Sequence, residues 1–282
     1  MPIIDIHPHV ISTDNARYPL RPLGGHQSTW SRDRPTPYEA MIAEMDKAGV
    51  AKSAIVQAST AYGHDNSYVA EAIAAHPRRF TGVFSVDLLA ADNVEKMKYW
   101  LARGFSGMRL FTTGSTMPGQ ATWFDDPRTY PAWQYAGDAE APVCMQMTPQ
   151  GFPQLRALMA RFPKVRIILD HLARPTLVDG PPFAVDQEFF SFARNPNVYL
   201  KLTPINVSPK NWGKATPETF FGALIQAYGA NRIAWGSNFP ATEGTLTEIL
   251  RKAQAALSFA SAADREWIFG KTALELYPKL KD

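Results

Sequence analysis

The sequence predicts a single-domain (β/α)8 barrel, the α/β fold in which parallel strands alternate with helices. Eight short apolar runs recur along the 282 residues, segments with helical spacing separate them, and no glycine-rich turn follows the first run. Strands that are apolar throughout and alternate with helices form a parallel sheet covered on its outside. Eight such units close into a barrel. An open doubly wound sheet is the alternative, but the segment Ile-His-Pro-His at residues 6–9 occupies the place of its phosphate-binding glycines.

The elements follow one another in a regular order. The candidate strands are residues 3–7, 53–58, 81–86, 107–111, 142–147, 165–169, 198–202 and 232–236. The candidate helices are residues 38–48, 67–75, 93–102, 152–161, 187–193, 218–228, 245–257 and 262–276. Gly49 and Gly104 are helix stop signals, and Ser261 is a candidate N-cap of the last helix. We place no helix between the fourth and fifth strands.

One long segment, residues 11–37, lacks clear periodicity and is rich in Arg, Pro and Gly. It includes Tyr18, His26 and Trp30. A loop of this length in a compact domain is usually functional or disordered. Because it follows the first strand, we expect it to cover the mouth of the barrel, and residues 1–282 to form one domain.

Composition narrows the class of protein. Hydrophobic residues make up 45% of the chain, so a large core can form, and the net charge of +3 comes without a Lys/Arg run, which argues against nucleic-acid binding. The single cysteine, Cys144, excludes an intrachain disulfide or a cysteine metal cluster. Neither a signal-peptide pattern nor an apolar run of ~18 residues is present, so we expect a soluble cytoplasmic protein that does not bind membranes.

Polar residues collect at the predicted ends of the strands, where the active sites of such barrels lie. His7 and His9 are two residues apart at the end of the first strand, so both side chains point the same way. The other strand ends and following loops supply Gln57, Ser59, Tyr62, His64, Asp65, Arg109, Gln146, Thr148, His171, Arg174, Lys201, Ser237 and Asn238. A single strand-end cation is often structural, but so many polar side chains at one face predict a site. If His171 faces the site, Asp170 faces away.

Three segments carry a resemblance to a known family: Asp-Ile-His-Pro-His at residues 5–9, Leu-Asp-His at 169–171 and Trp-Gly-Ser-Asn-Phe-Pro at 235–240. Together they resemble the amidohydrolase superfamily, in particular the amidohydrolase-2 branch that includes 2-pyrone-4,6-dicarboxylate lactonase and related lactonases. The resemblance spans the chain, since the segments fall on strands one, six and eight. It implies a barrel hydrolase that acts on small lactones or esters.

The departures from this family concern the metal. Members usually carry an Asp at the end of strand eight, where this chain has Asn238, and metal-dependent members often add a strand-five histidine, where it has Gln146. Neutral amides are poor ligands for zinc, and catalytic zinc needs three protein ligands. We therefore expect a site without a cofactor. A zinc ion held by His7, His9 and His171 is the minority hypothesis.

The cations indicate the substrate. Arg109, Arg174 and Lys201 match carboxylates, and Ser59, Tyr62 and Gln146 are candidate hydrogen-bonding partners of the ligand. We expect a small anionic lactone or ester.

The remaining polar residues suggest a mechanism. Asn238 cannot accept a proton at neutral pH but can orient water. His171 is then the candidate base, because an ordinary histidine pKa of ~6.5 suits the role. His7 and His9 would polarise the carbonyl.

Two other functions remain open. A lactone isomerase needs no strong base for water, and the missing carboxylate at Asn238 favours it. A barrel that binds carboxylates without catalysis is the alternative from a different class, because fold does not fix function. The sequence gives neither the particular substrate nor the oligomeric state.

Overall fold

The computed structural model describes residues 1–208 and 212–281 of the chain. Eight strands form one sheet in the order of the sequence, and every neighbouring pair is parallel. The backbone N–H of Ile6 donates to the carbonyl of Trp235 at 3.2 Å, which joins the last strand to the first. The predicted (β/α)8 barrel is confirmed.

Strand and helix bounds agree closely with the alternation in the sequence. The strands are β1 Ile3–Asp5, β2 Val50–Val56, β3 Phe80–Phe84, β4 Phe105–Phe111, β5 Val143–Gln146, β6 Ile167–Leu169, β7 Val198–Leu202 and β8 Ile233–Trp235. The helices are α1 Thr29–Asp33, α2 Tyr38–Ala48, α3 Ser59–Tyr62, α4 Ser67–Ala75, α5 Asn93–Leu101, α6 Tyr130–Asp138, α7 Phe152–Arg161, α8 Gln187–Ser191, α9 Pro204–Val207, α10 Pro217–Tyr228, α11 Leu246–Ala256, α12 Ala262–Glu266 and α13 Thr272–Leu276. Short 3-10 turns connect several of them.

Helix α6 and the last helix differ most from the prediction, and the short helices α1, α3 and α9 were also not predicted. Helix α6 lies between β4 and β5, where we expected none; Pro131 in its first turn and Gly137 near its end give this segment the composition of a turn. The expected last helix is present as three consecutive segments. A π-helical turn at Trp267–Lys271 lies between α12 and α13. The predicted N-cap of the last helix is confirmed, since the Ser261 side chain accepts a hydrogen bond from the backbone of Asp264.

Apolar side chains of the strands and of the surrounding helices form the core. Strand β3 is buried along its whole length, and the largest fully buried side chains include Trp133, Trp235 and Tyr277. This burial on both faces of the strands is what their unbroken apolar sequence predicts. No helix in the described part of the chain is long and apolar enough to cross a bilayer.

The loop after β1 folds over the carboxyl ends of the strands. Its backbone donates from Arg21 to Ala61 at 2.8 Å, from Leu23 to Ser59 at 2.9 Å and from Ser28 to the carbonyl of Thr60 at 3.2 Å. These bonds fix the loop to α3, the helix that follows β2. The loop therefore covers the mouth of the barrel in an ordered conformation, with the short helix α1 within it.

Candidate active site

A cavity of about 170 Å³ opens at the carboxyl ends of the strands, beneath the first loop. Seven of the predicted site residues line it: His9, Ser59, Arg109, Gln146, His171, Arg174 and Asn238. These residues come from β4, β5, the start of α3 and the loops after β1, β6 and β8. The barrel thus brings together side chains up to 229 positions apart in the sequence, from His9 to Asn238.

Three predicted residues lie outside the lining. His7 and Lys201 are both fully buried, deeper in the barrel. Tyr62 is also buried, and its hydroxyl accepts a hydrogen bond from the backbone of Ser12 at 2.8 Å. Tyr62 therefore helps to hold the first loop, and Lys201 does not reach a ligand in the cavity directly.

The loop after β6 has an unusual backbone. Four consecutive residues, 171–174, have φ between 53° and 56°, in the left-handed region. Each such residue other than glycine costs on the order of 1–3 kcal/mol, and strain of this kind is typical of functional sites. The turn places both His171 and Arg174 at the wall of the cavity.

The hydrogen bonds of His171 define its chemistry. Its Nδ1 lies 2.7 Å from the hydroxyl oxygen of Thr203, and that hydroxyl in turn donates to Oδ1 of Asn206 at 3.2 Å. When the hydroxyl hydrogen is directed to Asn206, Nδ1 of His171 is the donor in the first bond. The other ring nitrogen, Nε2, keeps its lone pair and is available to accept a proton.

The pKa of His171 differs from our expectation. Burial lowers it to about 3, Asp170 opposes that shift, and Arg109, Arg174 and Lys201 add to it. The expectation of an ordinary pKa near 6.5 is therefore wrong. His171 is neutral at pH 7, but it is a weak base until something offsets the positive charges around it.

His9 is fixed by its neighbours above and below. Its Nδ1 donates to the carbonyl of Val56 at 2.7 Å, and the Trp30 ring stacks on it with centroids 5.2 Å apart. Burial, with Arg109, lowers the pKa of His9 to about 3. Since the only N–H of the neutral ring is used on Val56, His9 accepts hydrogen bonds from the cavity. It does not polarise a carbonyl, contrary to our expectation.

Asp170 is central to the site rather than turned away from it. It is fully buried, with Oδ2 2.8 Å from Nε of Arg109 and Oδ1 2.7 Å from Nζ of Lys201. The expected orientation is wrong because Asp170 continues the alternation of Ile168, which packs in the barrel interior, while the left-handed backbone begins only at His171 and turns that histidine to the cavity. Burial alone would raise the pKa of Asp170, but Lys201 and Arg109 hold it at about 2.

A second buried carboxylate joins the first and last strands. Oδ1 of Asp5 accepts hydrogen bonds from the backbone N–H groups of His7 and Ser237, both at 2.9 Å. Burial raises the pKa of Asp5 to about 6. Asp5 thereby positions the residues that follow β1 and β8, including His7, whose pKa burial and Lys201 lower well below its usual range.

Two cations and an amide shape the lining. Arg109 is 5% exposed and also donates to Oε1 of Gln146. Arg174 has no salt-bridge partner within residues 1–208 and 212–281. Asn238 adopts φ of 52°, a conformation that asparagine tolerates, and its side-chain amide donates to Thr242 at 3.2 Å. Its carbonyl oxygen remains available to a ligand or a water molecule.

The donor set does not fit a metal ion in this arrangement. The described residues contain no group of three or more His, Cys, Asp or Glu placed to hold one. His7 has both ring nitrogens without a hydrogen-bond partner, and its ring lies 5.0 Å from those of His9 and His171. The free nitrogens of His7 could bind a metal ion. Arg109 and the buried Lys201, however, place positive charge beside the three histidine rings, and that charge repels a divalent cation.

Several important residues were not apparent from the sequence. The pairing of Asp170 with two cations was missed because strand alternation was expected to hold through His171, whose backbone is left-handed. Thr203 and Asn206 could have been found, because Thr-Pro-x-Asn directly after a strand is a helix-capping signal, and the capping box is present at α9. Arg34, in the first loop, donates to the carbonyls of Pro240 and Ala241 at 2.9 and 3.0 Å, so it fixes the loop to the segment after β8.

Fold and site together define a (β/α)8-barrel protein with a polar, histidine-containing cavity at its strand ends. The chain belongs to the amidohydrolase family, whose model matches residues 4–279. The resemblance expected from the three sequence segments is confirmed.

Particular relatives include lactonases. An L-fucono-1,5-lactonase of Burkholderia ambifaria is 31% identical over 125 residues, which span 42% of this chain and 41% of that protein. A structure from Pseudomonas putida, described as a candidate 2-pyrone-4,6-dicarboxylic acid hydrolase, superimposes with a TM-score of 0.79 at 22% identity, covering 100% of this chain and 99% of the other. At this identity the superposition shows a shared fold.

Other proteins with the same fold hold metals. An amidohydrolase from Burkholderia multivorans with bound zinc has a TM-score of 0.75 and 19% identity, covering 99% of both chains. A dihydroxybenzoic acid decarboxylase from Polaromonas sp. JS666 with bound manganese has a TM-score of 0.69 and 16% identity, covering 100% of this chain and 98% of the other. The fold therefore supports both hydrolysis and decarboxylation.

Proposed function

We propose that this protein hydrolyses a small lactone that bears a carboxylate, with His171 as the base and without a metal ion. One observation carries the proposal. A neutral histidine, whose Nδ1 donates to Thr203, presents its other nitrogen to a cavity flanked by Arg109 and Arg174. This arrangement supplies a proton acceptor and an anion-binding site at the same place.

Charge supports an anionic substrate. Around the cavity the cations Arg109, Arg174 and Lys201 outnumber the carboxylates of Asp5 and Asp170, and the nearby histidines are neutral. An arginine binds a carboxylate through two parallel hydrogen bonds. The name of the Pseudomonas putida structure, a 2-pyrone-4,6-dicarboxylic acid hydrolase, denotes a substrate with two carboxylates, which agrees with this charge, whereas L-fucono-1,5-lactone carries none.

The substrate itself adjusts the base. Arg109 and Arg174 both lower the pKa of His171. Burial is the larger cause of the low pKa, and a carboxylate bound between the two arginines offsets only their charge, so it raises the pKa of His171 above that in the free enzyme. A substrate without a carboxylate then binds less tightly and is also turned over more slowly.

The ring-opening reaction uses the remaining groups. Water attacks the lactone carbonyl carbon and gives its proton to Nε2 of His171, while the carbonyl oxygen of Asn238 orients that water. The amide N–H groups of Gln146, a residue that lines the cavity, stabilise the developing oxyanion, because Arg109 is engaged with Asp170, with the Gln146 oxygen and with the substrate carboxylate. The C–O bond of the ring then breaks, and the leaving oxygen takes the proton from His171. Hydroxy acid is the product.

Lactone isomerisation is the second candidate, and Asn238 favours it. This position holds an amide, with its N–H groups directed to Thr242, so it supplies no second base for water. Hydrolysis and isomerisation are distinguished by the product. Reaction in ¹⁸O-water introduces the label into a ring-opened acid only when water is consumed.

The test is the turnover of a panel of carboxylated lactones by the wild type, His171→Asn and His76→Asn. His76 ends α4 at the opposite end of the barrel and serves as the matched control. We expect His171→Asn to lose turnover while it still binds carboxylates, and His76→Asn to retain both. Full activity of His171→Asn refutes the assignment of the base. Tight binding without turnover by the wild type indicates a non-catalytic barrel.

A further inference from the structure

A larger side chamber opens beside the active-site cavity. Its volume is about 530 Å³, against about 170 Å³ for the cavity itself. The two share Arg174 and Ile205 in their linings, so they adjoin at the loop that carries His171. A ligand bound at Arg174 therefore lies next to the chamber.

The surface that the chamber offers to a ligand is mainly apolar. Leu177, Val178 and Phe220 line it, and Val178 is an apolar side chain that is 54% exposed. Two polar side chains in the lining are already engaged within the protein. Asn206 donates to the carbonyl of His171 at 2.9 Å, and Thr176 binds Asp186 through its backbone N–H, 2.9 Å, and its hydroxyl.

Size also points to a ligand that fills both spaces. Small-molecule sites in proteins usually measure ~300–1,000 Å³. The active-site cavity alone falls below that range, whereas the cavity and the chamber together fall within it. A ring with a carboxylate fits the cavity, and a substituent on that ring has the chamber to enter.

We propose that the side chamber binds an apolar alkyl or aryl substituent of the substrate, and that Val178 is a residue that determines specificity. The substrate class is thereby a carboxylated lactone with a hydrophobic arm of several carbon atoms. The inference rests on the proposed function, because it takes the carboxylate of that substrate to lie at Arg174. It goes further in assigning a site to the part of the substrate that does not react.

Binding of ligands that cannot react tests the chamber separately from catalysis. Suitable probes are tetrahydrofuran-2-carboxylate and its methyl, propyl and pentyl derivatives, substituted at carbon 4 or at carbon 5. They carry the ring and the carboxylate but no ester. Calorimetry gives the Kd of each for the wild type, Val178→Trp and Val185→Trp. Val185 is 60% exposed and lies outside the chamber lining, so it is the matched control.

We expect Kd of the wild type to fall with chain length in at least one series. Complete burial of a methylene is worth about fourfold in Kd and half-burial about twofold. Val178→Trp fills the chamber, so it should flatten this dependence while leaving the Kd of the unsubstituted ring unchanged. Val185→Trp should keep the wild-type dependence.

Other outcomes overturn the inference. If the unsubstituted ring binds but chain length has no effect in either series, the chamber does not hold the substituent, and the proposed function is unaffected. The same holds if Val178→Trp and Val185→Trp show equal dependences. If none of the probes binds to the wild type, both the chamber and the anion site at Arg174 are wrong.

Discussion

Replacement of Asp170 by Asn removes the charge that holds the centre of the site together. The side chain is fully buried between Arg109 and Lys201, which are 5% and 0% exposed. Asp170→Asn keeps the size and shape of the side chain, and its amide oxygen still accepts a hydrogen bond. The substitution removes the negative charge, so the two buried cations lose their anion. Removal of one partner of a buried ion pair costs about 3–5 kcal/mol.

The retained hydrogen bonds place the expected loss of stability near the lower end of that range, at about 3 kcal/mol. For a chain of this size each kcal/mol lowers Tm by roughly 2–4 °C, so the shift should be about 6–12 °C. Thermal and urea unfolding, followed by circular dichroism, measure both quantities. Glu266→Gln is the control, since it removes the exposed pair with Lys271, and its Tm should match that of the wild type.

A double substitution separates loss of charge from loss of shape. Asp170→Asn combined with Lys201→Met removes one of the two stranded cations and should recover part of the lost Tm. A Tm for Asp170→Asn that equals that of Glu266→Gln would refute the reasoning. It would mean that the two cations are stable in the barrel without their anion.

Three further predictions follow from the same contacts. Between pH 6 and pH 4 the free energy of unfolding should fall, because unfolded histidines bind protons near pH 6.5 whereas His9 and His171 do so only near pH 3 when folded. Each histidine lowers the free energy of unfolding by up to about 1.4 kcal/mol per pH unit as the pH falls. Asp5 offsets part of this loss, because its folded-state pKa is raised to about 6. Urea titrations at each pH measure the free energy of unfolding. Thr203→Val should lower kcat by about 3- to 10-fold, with recovery in Thr203→Ser, because His171 loses the acceptor that fixes its tautomer. Arg174→Gln should weaken binding of tetrahydrofuran-2-carboxylate by roughly 10- to 100-fold in calorimetry, since it removes a charged hydrogen-bond donor.

The sequence predicts the barrel well because the barrel depends on alternation. Apolar runs and helical spacing recur in order, so the fold and most bounds follow from them, and α4 and α7 have their expected limits. Helix α6 was missed because Pro131 and Gly137 mask its pattern. Residues at strand ends were also predictable, since the carboxyl ends of parallel strands meet at one face.

The electrostatics of the site could not be predicted in the same way. Strand alternation continues from Ile168 to Asp170, so both face the barrel interior, and it is His171 whose left-handed backbone departs from the alternation; no periodicity in the sequence indicates that turn. Lys201 is buried in the same interior and pairs with Asp170 instead of a ligand. The role of His9 depends on one hydrogen bond to Val56, which selects its tautomer.

The acid limb of the rate profile also depends on burial. Because the folded-state pKa of His171 is about 3, kcat/KM for a carboxylated lactone should not fall until the pH is well below 6.5. A histidine in water would lose activity near pH 6.5. The pH dependence of kcat/KM reflects the pKa of His171 in the free enzyme, in which no substrate carboxylate offsets the charges around the base.

The central claim is that histidine chemistry opens an anionic lactone at this site without a metal. The most direct test is turnover of carboxylated lactones by the same sample before and after exhaustive chelation, with its metal content determined by mass spectrometry. The account predicts undiminished turnover in protein free of metal, and its loss in His171→Asn. Activity that chelation abolishes and zinc restores would contradict it, and would assign His7, His9 and His171 to a metal ion.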